Sequence, residues 1–120
     1  MCKIMVVDDE LDLREMISML IKKEGFETDA AENGKEFLKK IDVFKPDLVT
    51  LDIMMPGLTT QEILKELNER KNKTKIILLT AERFSEKEKE NIFIMANVVD
   101  YIIKPFEIDR FLDTVKKHII

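Results

Sequence analysis

A chain of 120 residues, 45% apolar and 37% charged, is long enough to bury one core and too short for two, so a single domain over residues 1–120 is expected. A formal net charge of −4 argues against direct binding to nucleic acid, whose phosphates call for a basic surface. The longest apolar run, Ile92-Phe93-Ile94-Met95-Ala96, falls far short of the roughly 18 residues of a membrane span; acids follow Met1 to Val7 too soon for a signal peptide; and one cysteine, Cys2, gives neither an internal disulfide nor a zinc site, so a cytoplasmic protein without membrane contact is expected.

Lys3 to Val7 reads as a short apolar strand ended by three acids, Asp8-Asp9-Glu10. From Leu11 to Glu24, Leu13, Met16, Ile17, Leu20 and Ile21 recur at helical spacing, and Gly25 is placed to stop the helix. Phe26 to Ala31 predicts a second strand. Asn33, with Glu36 three residues on, opens a second helix whose inward residues are Phe37, Leu38 and Ile41. Asp47 to Leu51 is a buried strand bounded by Pro46 and by Pro56-Gly57, which leaves Asp52 at its end. Thr59 and Glu62 fit a capping box for a third helix with Ile63, Leu64 and Leu67 inward. Ile76 to Leu79 is a fourth strand ending in Thr80-Ala81. Ser85 and Glu88 form another capping box, with Ile92, Met95 and Ala96 on the buried side of the fourth helix. Val98 to Ile103 makes the fifth strand, ending Lys104-Pro105-Phe106. A last helix carries Ile108, Phe111, Leu112 and Val115, with Lys116, Lys117 and His118 at the end where cations suit the dipole. His118, the one histidine, reads as a surface residue of that helix end.

Five strands alternating with helices predict an α/β fold of the (βα)5 flavodoxin-like type. Its parallel sheet has the order 2-1-3-4-5, with helices on both faces. Ligand sites in such sheets lie outside the carboxyl ends of the strands. Neighbouring strands are about 4.8 Å apart, so Asp8 or Asp9 shares a crevice with Asp52, with Thr80 on the fourth strand and Lys104 on the fifth. Carboxylates so close repel one another unless a pKa rises or a cation enters. A hard divalent ion resolves this, and magnesium typically takes one or two carboxylates while keeping waters for substrate phosphate. The parts are those of phosphoryl transfer to a carboxylate: Asp52 as nucleophile, Lys104 and the metal offsetting charge, and the Thr80 hydroxyl donating to a phosphoryl oxygen. Each feature alone is ordinary; their joint appearance at four strand ends is the signal.

The motifs Val6-Val7-Asp8-Asp9, Ala31-Glu32-Asn33-Gly34, Pro46-Asp47-Leu48-Val49, Leu51-Asp52-Ile53-Met54-Met55-Pro56-Gly57, Leu79-Thr80-Ala81 and Asp100-Tyr101-Ile102-Ile103-Lys104-Pro105-Phe106 resemble, as a set, the receiver domains of two-component response regulators. The resemblance runs from Lys3 to about Ile119. It implies a phosphorylation switch, and not an enzyme with a separate substrate, in which a histidine kinase or phosphotransfer domain phosphorylates Asp52. It implies that Mg2+ is held by Asp9, Asp52 and the Met54 carbonyl, with Asp8 acting through water. It also implies that Lys104 engages the phosphoryl group through a cis Lys104-Pro105 bond, and that Thr80 and Tyr101 form a switch pair. The signal would reach a downstream protein, or a second copy of the chain, through the face made by the fourth helix, fifth strand and fifth helix. Kinase docking is expected at the edge of the first helix. Leu13, Ile17, Leu20 and Ile21 fill its inward arc, leaving Met16 at the border and Met19 beyond it.

Three departures from the family pattern stand out. Thr59-Thr60 replaces the usual Asp-Gly before the third helix, although Thr59 still caps. Asn97-Val98 replaces Gly-Ala after the fourth helix, and Asn97 is expected in a left-handed conformation. Met54 occupies the variable position bordering the phosphoryl pocket. Two rivals fit less well. A haloacid dehalogenase-type hydrolase resembles Asp-x-Asp, but position 54 is Met. In a flavodoxin the first loop cradles a phosphate, which Asp8-Asp9-Glu10 would repel.

Overall fold

In the computed structural model the described residues are 2–53, 55–81, 85–94 and 96–119, the side chains of Lys89, Ile92 and Phe93 excepted. The elements run β1 (Lys3–Val7), α1 (Leu11–Lys23), β2 (Glu27–Ala31), α2 (Gly34–Phe44), β3 (Leu48–Asp52), α3 (Thr60–Glu69), β4 (Lys75–Thr80), α4 (Glu86–Phe93), β5 (Val98–Ile103) and α5 (Ile108–Lys117). All strand pairs are parallel, in the order β2-β1-β3-β4-β5. The fold predicted from the alternation of strands and helices is the fold observed.

Successive strand residues point to opposite faces, and this divides the apolar residues between two cores. Met5, Val7, Val49, Leu51, Ile76 and Leu78 pack with Phe37 and Ile41 of α2 and Ile63, Leu64 and Leu67 of α3. Ile4, Val6, Ile77, Leu79 and Ile102 pack with Ile17 and Ile21 of α1 and Phe111 and Val115 of α5. The central strands are buried on both faces, which is why they read as unbroken apolar runs. Among the described residues no helix is long and apolar enough to cross a membrane.

Helix ends follow the predicted chemistry. Gly25 sits at φ 94° just past α1, a conformation that favours glycine, and its N–H reaches Lys22 O at 2.9 Å. Asn33 Oδ1 accepts from Glu36 N at 2.8 Å. A Cβ on Gly34 would lie 2.6 Å from Ile63 Cδ1, so α2 starts flush against α3 because no side chain intervenes. The reciprocal bonds of a capping box are present at Thr59 and Glu62 and at Ser85 and Glu88.

Several expectations are corrected. His118 is not a free surface residue: its Nε2 lies 2.9 Å from Asp100 Oδ2, and its side chain is largely covered, because α5 ends against β5. Lys75 Nζ donates to the His118 carbonyl at 2.8 Å in the same corner. Asn97 is not left-handed; the non-glycine residues with positive φ among those described are Lys45 and Lys71. Its amide instead donates to Lys73 O at 2.8 Å, a long-range bond that holds the turn without a backbone reversal at Asn97. Helix α4 closes at Phe93, so Ala96 lies beyond it, still packed on the core; the side chain of Ile92 and all of Met95, its expected inward companions, lie outside the described residues. Ile108, the first residue of α5, is 47% exposed.

Candidate functional site

Strand register assembles the site. Val7 pairs with Leu51, so Asp8, one residue on, stands beside Asp52. Asp52 pairs with Leu79 and Thr80 with Ile103, so Thr80 and Lys104 complete the same rim. Backbone bonds hold each position: Asp8 N to Ala31 O at 3.1 Å, Ile53 N to Leu79 O at 3.1 Å and Lys104 N to Thr80 O at 2.7 Å. Asp8, Asp52 and Thr80 are buried and Asp9 is exposed, which leaves one acid open to an incoming group.

Asp8, Asp9 and Asp52 each offer a carboxylate oxygen within 4.8 Å of the others. Lys104 Nζ stands 3.4 Å from Asp52 Oδ1 and 3.5 Å from Asp8 Oδ2, so three carboxylates face one ammonium. The Lys104-Pro105 bond is cis. Asp8 Oδ1 accepts from Glu10 N at 2.9 Å. Asp8 Oδ2 is buried without a hydrogen-bond partner among the described residues, with the Lys104 ammonium at ion-pair distance only. A buried anionic oxygen lacking donors is costly, and an all-oxygen donor set with an excess of negative charge fits a hard divalent cation. Beside Asp9 lies a groove of about 680 Å³ lined by Glu32, Asn33, Lys35, Pro56, Gly57 and Leu58, which keeps an approach to the acids open.

The rim thus brings together Asp8, Asp9, Asp52, Thr80 and Lys104. Tyr101 is set back from it in the strand register. Tyr101 pairs with Leu78, two residues back from the Thr80–Ile103 pair, and lies half-buried against the core. Met54 lies outside the described residues, and with it the carbonyl expected to ligate metal. On α1, Met16 and Met19 are 39% and 69% exposed, as their helical phase predicts. Two side chains escaped the sequence reading. Thr60 Oγ1 donates to Ile53 O at 3.3 Å, which ties the start of α3 to the residue after Asp52 and shows how Thr59-Thr60 serves this turn. Arg14 Nη1 donates to Asp8 O at 2.8 Å. Its signal in the sequence was a cation in the first turn of a helix, where the dipole disfavours one.

A sequence profile of the response regulator receiver domain matches residues 4–116. The chain belongs to the response regulator receiver domain family. Receiver domains are the phosphorylation switches of two-component signal transduction and bind Mg2+ at an acidic pocket. This receiver is 38% identical over 118 residues to the chemotaxis protein CheY of Listeria monocytogenes, covering 98% of both chains. It is 34% identical to sporulation initiation phosphotransferase F of Bacillus subtilis, over 98% of this chain and 93% of the other. Among solved structures, response regulator TrrA of Thermotoga maritima, in complex with Mg2+ and BeF, superposes with a TM-score of 0.81 at 42% identity, covering 98% and 99% of the two chains.

Proposed function

We propose that residues 1–120 act as a single receiver domain in the cytoplasm, taking a phosphoryl group on Asp52 from a histidine kinase or phosphotransfer domain. The observation that carries this reading is the buried pair Asp8 and Asp52, with Asp9 beside them and Lys104 between them at 3.4 and 3.5 Å. A carboxylate oxygen of Asp52 forms the new P–O bond. The P–N bond of the donor phosphohistidine breaks, and the imidazole nitrogen keeps its electron pair. Lys104 offsets charge on the phosphoryl oxygens, and the Thr80 hydroxyl turns from the strand end to donate to one of them. Asp9, Asp52 and the Met54 carbonyl would hold Mg2+, with Asp8 acting through water, and the metal when bound supplies charge neutralisation and a template for the phosphoryl oxygens. The chain takes part in its own phosphorylation and dephosphorylation and has no separate substrate.

The donor docks at the edge of α1, where Met16 and Met19 supply an adaptable apolar surface. The output is the face of α4, β5 and α5. Phosphorylated Asp52 draws in Thr80, and Tyr101 turns toward the space left beside β5, so a downstream protein or a second copy reads a changed surface. Intact mass after incubation with Mg2+ and acetyl phosphate tests the acceptor. The wild type gains one phosphoryl group, whereas Asp52→Asn and wild type in excess chelator gain none; a gain in Asp52→Asn would refute the assignment.

A further inference from the structure

We infer that Arg14 is the positioning residue of the Asp8-Asp9-Glu10 loop and sets its affinity for a divalent cation; this rests on the reading of the site given under Proposed function. The carbonyl that Arg14 Nη1 grips at 2.8 Å is that of Asp8, and it belongs to the peptide joining Asp8 to Asp9. Peptide groups are planar, so fixing this oxygen fixes the direction in which Asp9 leaves the strand. Among the described residues the Asp9 side chain forms no hydrogen bond or ion pair, so its direction rests on the backbone around it, which Glu10 N also restrains by donating to Asp8 Oδ1 at 2.9 Å. Three adjacent acids repel one another in this loop, and Glu10 at the start of α1 makes no side-chain cap bond, so beyond the Glu10 N bond to Asp8 Oδ1 a further restraint has to come from within the helix. Arg14 supplies it. Its backbone N–H makes the ordinary first helical bond to Glu10 O at 2.9 Å, as any residue there would, and what the arginine adds is the guanidinium bond to Asp8 O on the far side of Asp9. A cation in the first helical turn is unfavourable to the dipole, and a charge-assisted bond to the acid loop is what offsets that cost.

Residues that orient metal ligands typically change metal affinity by about 10–100-fold when removed. Mg2+ titration of the full chain, followed by the amide shifts of Asp9 and Glu10, should show binding weakened at least about tenfold in Arg14→Ala. Arg14→Met keeps the stem, which lies in a surface groove with Leu11, Ser18 and Met19, but lacks the donor. It should lose as much affinity as Arg14→Ala while melting close to wild type without metal. Arg14→Lys, whose ammonium can still donate to the Asp8 carbonyl, should recover most of the affinity. Asp9→Ala is the control that removes a carboxylate itself. If Arg14→Met binds Mg2+ within about twofold of wild type while Asp9→Ala does not bind, the positioning role is overturned. If Asp9→Ala binds as well as wild type, the reading of the acid cluster fails and this inference fails with it.

Discussion

Lys104 reaches across the site to the buried oxygens Asp8 Oδ2 and Asp52 Oδ1, so before any metal enters, a single ammonium tempers two buried anions. Removing one partner of a fully buried ion pair costs about 3–5 kcal/mol; Lys104 is partly solvated, so Lys104→Met is expected to cost about 1–2 kcal/mol. Melts in chelator should show that loss, and added Mg2+ should raise the midpoint of Lys104→Met by more than it raises wild type, since the metal then replaces the missing cation. The same variant should accept phosphate slowly. The acids, Thr80 and Lys104 were legible in the sequence because each closes or closely follows an apolar run at the carboxyl end of a strand, where ligand sites of parallel sheets lie. Arg14 was not, because its bond is to a backbone oxygen, and carbonyls leave no mark in a pattern of residue types.

Among the helices, α3 shows how closely local sequence and local structure agree. Thr59→Ala removes the side-chain half of its capping box and should cost about 1 kcal/mol by chemical denaturation. Glu62 supplies the other half. Its carboxyl is held below the usual range by the bond from the Thr59 backbone N–H and then by the Thr59 hydroxyl. A folded pKa lowered in this way gives stability that is full above the unfolded value near 4.5 and is lost as pH falls through the folded one. The difference between wild type and Glu62→Gln should therefore be present at neutral pH and vanish on acidification into that window. Capping boxes are readable because both partners lie within one turn. The His118–Asp100 contact is not, since it joins residues 18 apart through the docking of α5 on β5. Asn97 misled for a related reason: its amide found Lys73 O across the surface, and that bond replaced the backbone conformation expected of it.

At the scale of the molecule, the proposed route from Asp52 on β3 to the proposed output face crosses the neighbouring strands β4 and β5. Thr80→Ala should still take phosphate on Asp52 by intact mass, but the amide shifts around Tyr101 should no longer follow phosphorylation; shifts that persist would show that the coupling bypasses this hydroxyl. The overall architecture was legible because the strands β1, β3, β4 and β5 are largely apolar runs alternating with helical periodicity, while the two-residue offset between Thr80 and Tyr101 is set by the register of β4 on β5. That register also governs how the chain tolerates changes in length. Val7 against Leu51 and Thr80 against Ile103 place the rim residues by counting along the strands, and the same count decides which apolar side chain enters which core. One glycine inserted after Val49 should therefore cost fold and phosphate acceptance together. The same glycine after Lys71, exposed in the connection that enters β4 at the end of the sheet away from Asp52, breaks at most the local bond from Asn72 N to Leu67 O, otherwise meets the slowly growing cost of a longer loop, and should leave the mass gain intact. Heritable length variation in this molecule is thus polarised, free at the edge where strands begin and barred along the strands that lead to Asp52.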